Sequence, residues 1–449
     1  MNKISTASFW TLAGFIFSQL VRLLGNLVLT RLLLPEMFAL MAIVTSVRVG
    51  VYMCSEIGLK MSVIRHENGE TPAFLQTAWT MQVIRGGLLW IFISIFAVSI
   101  KFIGEAGFFP LASVYSDERL PLLLAVIGLV SFIVGFESSK IWLAQRNLNL
   151  GRVTVLELVA QTIGAVVMVY WAWKSPSVWA LVFGSIISAL CRVIMSHLFL
   201  RGARDAFRLD KEVVLEIFKF GKWLFISAII TFFALNGDRL ILGGFLTTEQ
   251  LGVYSVAFFL ATAVRDLLLS LTSKVYYPLL SDANRNTPEK LQKKYYDIKL
   301  WQDMTVFFVI GFLYCTAPLI VQLLYDDRYE NAGWMMQILV ISLISSVFNI
   351  GNSLLMALGY SHYGTVLVTM KAVTLWVGVP LLYSIYGIAG AVWGVTISSF
   401  VSPPFIMFFL HRKKILIFYK ELWMIVFIPI GYIAGDFFIL IKDFLFLGY

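Results

Sequence analysis

Arg22, Arg48 and Arg85 stand near the middles of the first three apolar stretches of the chain. A charge at the centre of a membrane-spanning helix costs about 2.5–3.5 kcal/mol on insertion scales. Three such costs in succession call for carboxylate partners, or for a wet cavity that holds something negative. Arg239, Arg265 and Lys371 bring the mid-depth cations to six, whereas the acids at that depth are Asp238 and Asp266. Nearer the span ends, Glu56, Glu137 and Glu157 roughly balance Lys140, Arg192 and Lys274, and Glu137 and Lys140 are spaced to pair on one helix. Adjacent residues on a helix point in different directions, so Asp238 need not neutralise Arg239. The central layer therefore carries excess positive charge, and a cationic cavity for an anionic ligand is expected. Arginine suits phosphate because its planar fork donates paired hydrogen bonds. Glu56, Asp238 and Asp266 are candidates for carrying a coupling proton or sodium ion, with salt-bridge partnership as the alternative for each.

The elements that must position these residues are membrane helices. Hydrophobic residues make up 59% of the 449 and charged residues 14%, and the mean hydropathy is +0.84. A soluble chain is about a quarter charged. Apolar stretches lie at roughly 8–33, 36–59, 74–100, 120–145, 152–174 and 176–199, then at 218–244, 251–277, 300–324, 334–358, 363–385 and 388–411. A thirteenth covers 421–441. Each is long enough to cross a bilayer as a helix, and backbone groups in lipid must be bonded internally. The first stretch holds Arg22 and has no convincing small-residue cleavage site, so it is expected to be retained.

Alternate loops carry the basic residues: Lys60 and Arg65, Arg146 and Arg152, Arg201 to Lys211, Arg285 to Lys294, and Arg412 to Lys414. The opposite loops lean acidic, with Glu36, Glu105, Asp117, Glu118, Asp326, Asp327 and Glu330. The positive-inside rule then places the N-terminus in the cytoplasm. The net charge of +9 is mostly this topological signal, and no basic stripe with interleaved aromatics suggests nucleic acid. Trp171, Trp173 and Trp179 fall at the expected outer ends of spans five and six, as interfacial anchors. Three scattered cysteines and four scattered histidines offer no disulfide or metal spacing, and no cofactor is expected.

The polar break at 200–217 divides the chain into six-helix lobes at 1–199 and 218–414, with 415–449 as an extra apolar segment. Gly25-Asn26 followed by Leu34-Pro35-Glu36 is echoed by Gly237-Asp238 followed by Thr248-Glu249. Such a parallel repeat implies pseudo-twofold lobes about an axis along the membrane normal, with the ligand near the midplane between them. Gly390 and Gly394 form a GxxxG, whose default meaning is close helix packing.

Several stretches resemble the Wzx-type polysaccharide flippases of the multidrug/oligosaccharidyl-lipid/polysaccharide (MOP) exporter superfamily. They are Thr30-Arg31-Leu32-Leu33-Leu34-Pro35-Glu36 with Ser55-Glu56-Ile57-Gly58-Leu59, and Ala144-Gln145-Arg146-Asn147-Leu148 with Val155-Leu156-Glu157-Leu158-Val159. Trp179-Ala180-Leu181-Val182 follows, then Phe220-Gly221-Lys222-Trp223 leading to Asn236-Gly237-Asp238-Arg239-Leu240 and Leu251-Gly252-Val253-Tyr254-Ser255. Tyr386-Gly387-Ile388-Ala389-Gly390-Ala391 also fits. Each motif is short, but their order extends over twelve spans. Ala39 stands where the family often has glycine, and Glu56 where it commonly has aspartate. The resemblance implies an all-α polytopic protein of two six-helix bundles, MATE-like, alternating between inward- and outward-open states. It implies movement of an undecaprenyl-diphosphate-linked oligosaccharide to the periplasmic leaflet of the bacterial inner membrane. Membrane lipids, and a polysaccharide polymerase with its chain-length regulator, are the partners it suggests. The alternatives are an ion-coupled exporter of the same fold for a drug-type or lipid II-type substrate, and a membrane glycosyltransferase or polymerase. A drug-type cavity would be expected to count negative, and an enzyme would need carboxylates on a large outer loop. The longest such loop, about 101–119, is short, and no nucleotide, serine-hydrolase or zinc signature is present, so no enzymatic activity is expected.

Overall fold

The computed structural model describes residues 3–110 and 112–446, and among them no β-strand forms. Two compact units divide the chain, Met1–Gly252 and Val253–Tyr449. The polar break at 200–217 lies inside the first. The side chains of Phe220, Lys222, Trp223 and Lys274 lie outside the described residues.

The first unit runs α1 (Lys3–Leu32), α2 (Pro35–Met53), α3 (Leu59–Arg65), α4 (Pro72–Glu105), α5 (Leu120–Gly135), α6 (Lys140–Arg146), α7 (Leu150–Lys174), α8 (Trp179–Phe199) and α9 (Lys211–Phe245), and enters α10 (Thr248–Leu271). Local chemistry sets the ends. Pro35 and Pro72 occupy first-turn positions, where a missing N–H costs nothing. The Thr71 hydroxyl accepts from the Phe74 N–H, and Asp210 accepts from Glu212. Thr247 and Gln250 cap α10 reciprocally, each side chain accepting the other's backbone N–H at 3.2 and 3.1 Å. Helix α2 stops at Met53, six residues before the predicted end: Ser55 and Glu56 N–H groups turn back to the Tyr52 and Met53 oxygens at 3.2 and 3.0 Å, and Gly58 (φ 73°, left-handed, which glycine adopts freely) then opens α3.

The predicted span 120–145 is bent by 62° between α5 and α6. Two side chains serve the carbonyls at the bend: Gln82, and His197, whose Nε2 lies 2.8 Å from the Phe136 oxygen. Gln82 Nε2 of α4 donates to Val134, Gly135 and Glu137 oxygens at 3.2, 2.9 and 3.1 Å. Asp205 accepts from the Ser138 hydroxyl at 2.6 Å and from the Ser139 N–H at 3.3 Å, fixing the 200–210 segment under the bend.

Lipid-facing character is explicit on α4. Ile84, Leu88, Ile91, Ile95, Val98 and Phe102 form an exposed stripe at helical spacing. Exposed apolar residues on this scale are at home only in hydrocarbon. Eleven described helices are long and apolar enough to cross, or twelve when the bent pair counts as one. The protein is therefore a multi-pass membrane protein.

The second unit continues with α11 (Tyr277–Asn286), α12 (Leu291–Leu324), α13 (Ala332–Ile341), α14 (Leu343–Ser346), α15 (Asn349–Ala357), α16 (Ser361–Ser399), α17 (Ser402–Arg412), α18 (Phe418–Leu422) and α19 (Phe427–Phe446). Gly387 (φ 60°, ψ −140°) breaks α16 and folds it back on itself. The GxxxG pair makes the fold-back tight, since a Cβ on Gly390 would fall 2.0 Å from the Leu382 carbonyl oxygen and one on Gly394 2.9 Å from Val379 Cα. The 51-residue stretch His362–Arg412 thus holds both predicted spans, 363–385 and 388–411. The thirteenth stretch, α19, docks on α12 backbone to backbone. A Cβ on Gly311 would lie 2.0 Å from the Ile428 oxygen, and one on Gly431 2.0 Å from the Phe308 oxygen.

Candidate substrate site

Arg85 is held by several contacts at once. Its Nε donates to the Ser55 hydroxyl at 2.9 Å, its Nη2 to the Tyr52 carbonyl at 2.8 Å, and Nη2 lies 3.3 Å from Glu56 Oε2. The guanidinium sits 4.4 Å over the Tyr52 ring. Glu56 is held in turn by the Gly58 N–H at 2.8 Å. The turn that ends α2 therefore presents a carbonyl, a hydroxyl and a carboxylate to one arginine of α4.

This arginine faces a polar cavity of about 300 Å³, whose lining includes Tyr52, Lys60, Ser131, Glu137, Gln145 and Arg192. Arg192 of α8 forms a close two-point pair with Glu137 at the bend, and its Nη2 lies 3.7 Å from Glu157. Glu137 does not pair with Lys140, as the three-residue spacing suggested. The bend rotates α6 away from α5, and Lys140 Nζ donates to the His197 carbonyl at 3.1 Å. In the lining three cations, Lys60, Arg85 and Arg192, meet two carboxylates, Glu56 and Glu137. Ser131 Oγ and Gln145 Oε1 are buried there without a hydrogen-bond partner among the described residues. A polar ligand would satisfy them.

Arg48 stands one turn before Tyr52 on α2 and is half-buried. Among the described residues it has neither hydrogen bond nor ion pair. On its other side Arg85 borders a second cavity of about 790 Å³ with apolar walls, among them Ile84, Leu88, Leu215, Phe218 and Phe225. Arg85 and Leu89 line both cavities.

The remaining predicted residues lie elsewhere. Arg22 is exposed on α1, Asp238 is 3% exposed on α9, and Arg239 is half-buried beside it. In the second unit Arg265 Nε lies 3.8 Å from Asp266 Oδ1 and the guanidinium faces the Phe258 ring at 5.6 Å. Lys371 is half-buried on α16. The structure thus brings Arg85 and Glu56 together at Tyr52, while Arg48 stands one turn earlier on α2 and lines neither cavity. Sequence reading missed Gln82, Gln145 and Tyr52, neutral residues that carry no cost signal inside an apolar run.

The fold agrees with that of a MATE family transporter of the MOP superfamily solved in an inward-facing conformation, with a TM-score of 0.67 at 14% identity over 91% of this chain and 98% of that one. Residues 28–334 match the family model described as "Polysaccharide biosynthesis protein", and the chain belongs to that family. Succinoglycan biosynthesis transport protein ExoT of Rhizobium meliloti (strain 1021) is 21% identical over 316 residues, which is 70% of this chain and 61% of that protein. The match therefore spans about three-fifths of ExoT's length. A putative O-antigen transporter of Shigella flexneri is 24% identical over 415 residues, 87% of this chain and 94% of that protein.

Proposed function

We propose that the protein moves an undecaprenyl-diphosphate-linked oligosaccharide from the cytoplasmic to the periplasmic leaflet of the bacterial inner membrane by alternating access. The observation that carries this reading is Arg85 on the shared wall of a polar and an apolar cavity. A lipid-linked diphosphate saccharide has the matching three parts. Its diphosphate pairs with Arg48 and Arg85, its sugar hydroxyls meet Ser131 and Gln145, and its polyprenyl chain follows the apolar wall of Ile84, Leu88, Leu215 and Phe218. Arg22 and Arg239, and in the second unit Arg265 and Lys371, serve as further phosphate contacts during transit. Lys and Arg in alternate loops support a cytoplasmic N-terminus. The transport names of ExoT and of the putative O-antigen transporter support a saccharide cargo. A polysaccharide polymerase with its chain-length regulator would act on the delivered unit.

The test is reconstitution in vesicles with a lipid-linked saccharide confined to one leaflet, and its appearance in the other measured by enzymatic or lectin access. Appearance at the rate of empty vesicles would refute the proposal. A variant with Arg48 and Arg85 both replaced by glutamine, inserted and folded, should lose translocation.

A further inference from the structure

The second unit buries a charged cluster that the cavity above does not use. Lys299 Nζ lies 2.8 Å from Asp303 Oδ2 and 3.2 Å from Glu421 Oε2, and all three side chains are at most 1% exposed. Glu421 Oε1 accepts from the hydroxyls of Tyr295 and Tyr296 at 3.2 and 3.1 Å. Among the described residues neither Asp303 oxygen accepts a hydrogen bond, and Lys299 Nζ meets both carboxylates as ion pairs only. Gln302, 4% exposed, has neither its amide nitrogen nor its oxygen partnered among the described residues. Tyr295, Lys299, Gln302 and Asp303 share one face of α12 at helical spacing.

Two carboxylates against one ammonium leave a surplus negative charge where no solvent reaches. An uncompensated buried charge costs several kcal/mol, and a proton removes that cost. Glu421 accepts two hydroxyl hydrogen bonds beside its ion pair with Lys299, and Asp303 has the ion pair alone, so the proton belongs on Asp303. A metal cation does not suit the site, because the Lys299 ammonium already occupies the place between the carboxylates. The surroundings add no other charge at that point. Lys420 lies 5.4 Å over the outer face of the Tyr296 ring, and Lys299 itself lies 4.9 Å from the Phe348 ring. Helices α13, α14 and α15 carry no ionisable residue. Asp282 of α11 bonds Asn286, and Asp436 of α19 lies beside Cys315, four turns along α12 from Lys299.

We propose that Asp303, held by Lys299 opposite Glu421, is a proton-binding site. With Asp303 protonated, Lys299 belongs to Glu421, and the segment entering α19 is clamped to α12. With Asp303 ionised, the two carboxylates compete for one ammonium and the clamp loosens. Proton binding is thereby tied to how firmly the thirteenth span is fastened. Resting on the transport reading, this is where a proton gradient would drive the cycle, in place of Glu56, which is committed to Arg85, and Asp266, which lies beside Arg265.

Infrared difference spectra of the full chain in lipid nanodiscs, recorded across a pH change, report the carbonyl band of a protonated carboxyl directly. The expected result is a titrating band that disappears in Asp303→Asn. It should also disappear in Glu421→Gln, where one carboxylate remains for one ammonium and no proton is needed. A band that persists in Asp303→Asn, or that is missing from the unaltered protein, overturns the proposal. In vesicles an imposed pH gradient should speed translocation by the unaltered protein and leave Asp303→Asn at its gradient-free rate. An Asp303→Asn protein that still responds to the gradient overturns the coupling role. If the Asp303 band titrates but no lipid-linked saccharide moves, the proton site stands and the transport reading falls.

Discussion

Glutamine at Arg48 separates a cation kept for a ligand from one kept for the fold. Arg48 is half-buried in a membrane helix and has no hydrogen bond or ion pair among the described residues. Leaving a partly buried polar group without a partner costs the folded protein about 1–2 kcal/mol. Arg48→Gln should therefore stabilise the ligand-free protein by about 1–2 kcal/mol and raise its thermal midpoint by a few degrees. Binding should move the other way. Losing one charge-assisted contact to a diphosphate costs about 2–3 kcal/mol, or roughly 30- to 150-fold in affinity. Arg85→Gln is the internal control. It breaks the contacts to Ser55, Tyr52 and Glu56 and leaves Glu56 without its cation, so it should lower both stability and affinity. The assays are thermal unfolding in detergent micelles, with and without a soluble isoprenoid diphosphate, and binding of a fluorescent lipid-linked diphosphate. A destabilised Arg48→Gln protein with undiminished binding would refute the reasoning, because Arg48 would then be structural.

Arg146 donates to the Val63, Ile64 and His66 carbonyls at 2.8, 3.0 and 2.6 Å, so Arg146→Ala should destabilise by about 2–4 kcal/mol, seen as a lower thermal midpoint that ligand does not restore. Gly431→Leu should force α19 off α12, since even a methyl group there meets the Phe308 oxygen at 2.0 Å; protease access to the 412–426 region in membranes should rise, and unchanged protection would count against the packing. In the predicted outer loop, burial pushes the Asp117 carboxyl up, but hydrogen bonds from the Arg119 side chain and backbone, and its charge, outweigh that and hold it below the usual range. A depressed carboxyl contributes stability above its unfolded value, near pH 4, and loses it as pH falls through the folded value. Hydrogen exchange at 112–119 should thus accelerate below about pH 4, and Asp117→Asn should remove that acid step.

Hydropathy made the spans legible because lipid leaves the backbone few choices. It could not locate the ends set by single side chains. The predicted 36–59 span ran past Met53 because Ser55, Glu56 and Gly58 are too few to lower a window average. The bend at 136–139 was invisible for the same reason, although it creates the pocket. Arg85 was legible as a cost, and Glu56 was in view as an ion carrier or a salt-bridge partner, with no arginine assigned to it. The Lys299–Asp303 pair was cut by placing the ninth span at 300, which left Lys299 in a loop and Asp303 uncounted. Glu421 comes from a stretch 118 positions beyond Asp303, and no local pattern joins them.

Arg146 and Glu157 belong to the stretches by which the chain resembles polysaccharide flippases, yet neither lines the polar cavity. Arg146 gives its hydrogen bonds to the end of α3 and to Glu70, and Glu157 lies opposite Arg192 from outside the pocket. Those two residues belong to the chassis, whereas Glu56, Leu59 and Gln145 of the same stretches line the cavity. Two chains could carry both residues in the same places and convey different sugars, because Ser131, which would meet a hydroxyl and lies outside those stretches, can change without disturbing the frame. Diversification of cargo within such a family would then be inexpensive, concentrated in a few neutral side chains around a fixed basic anchor.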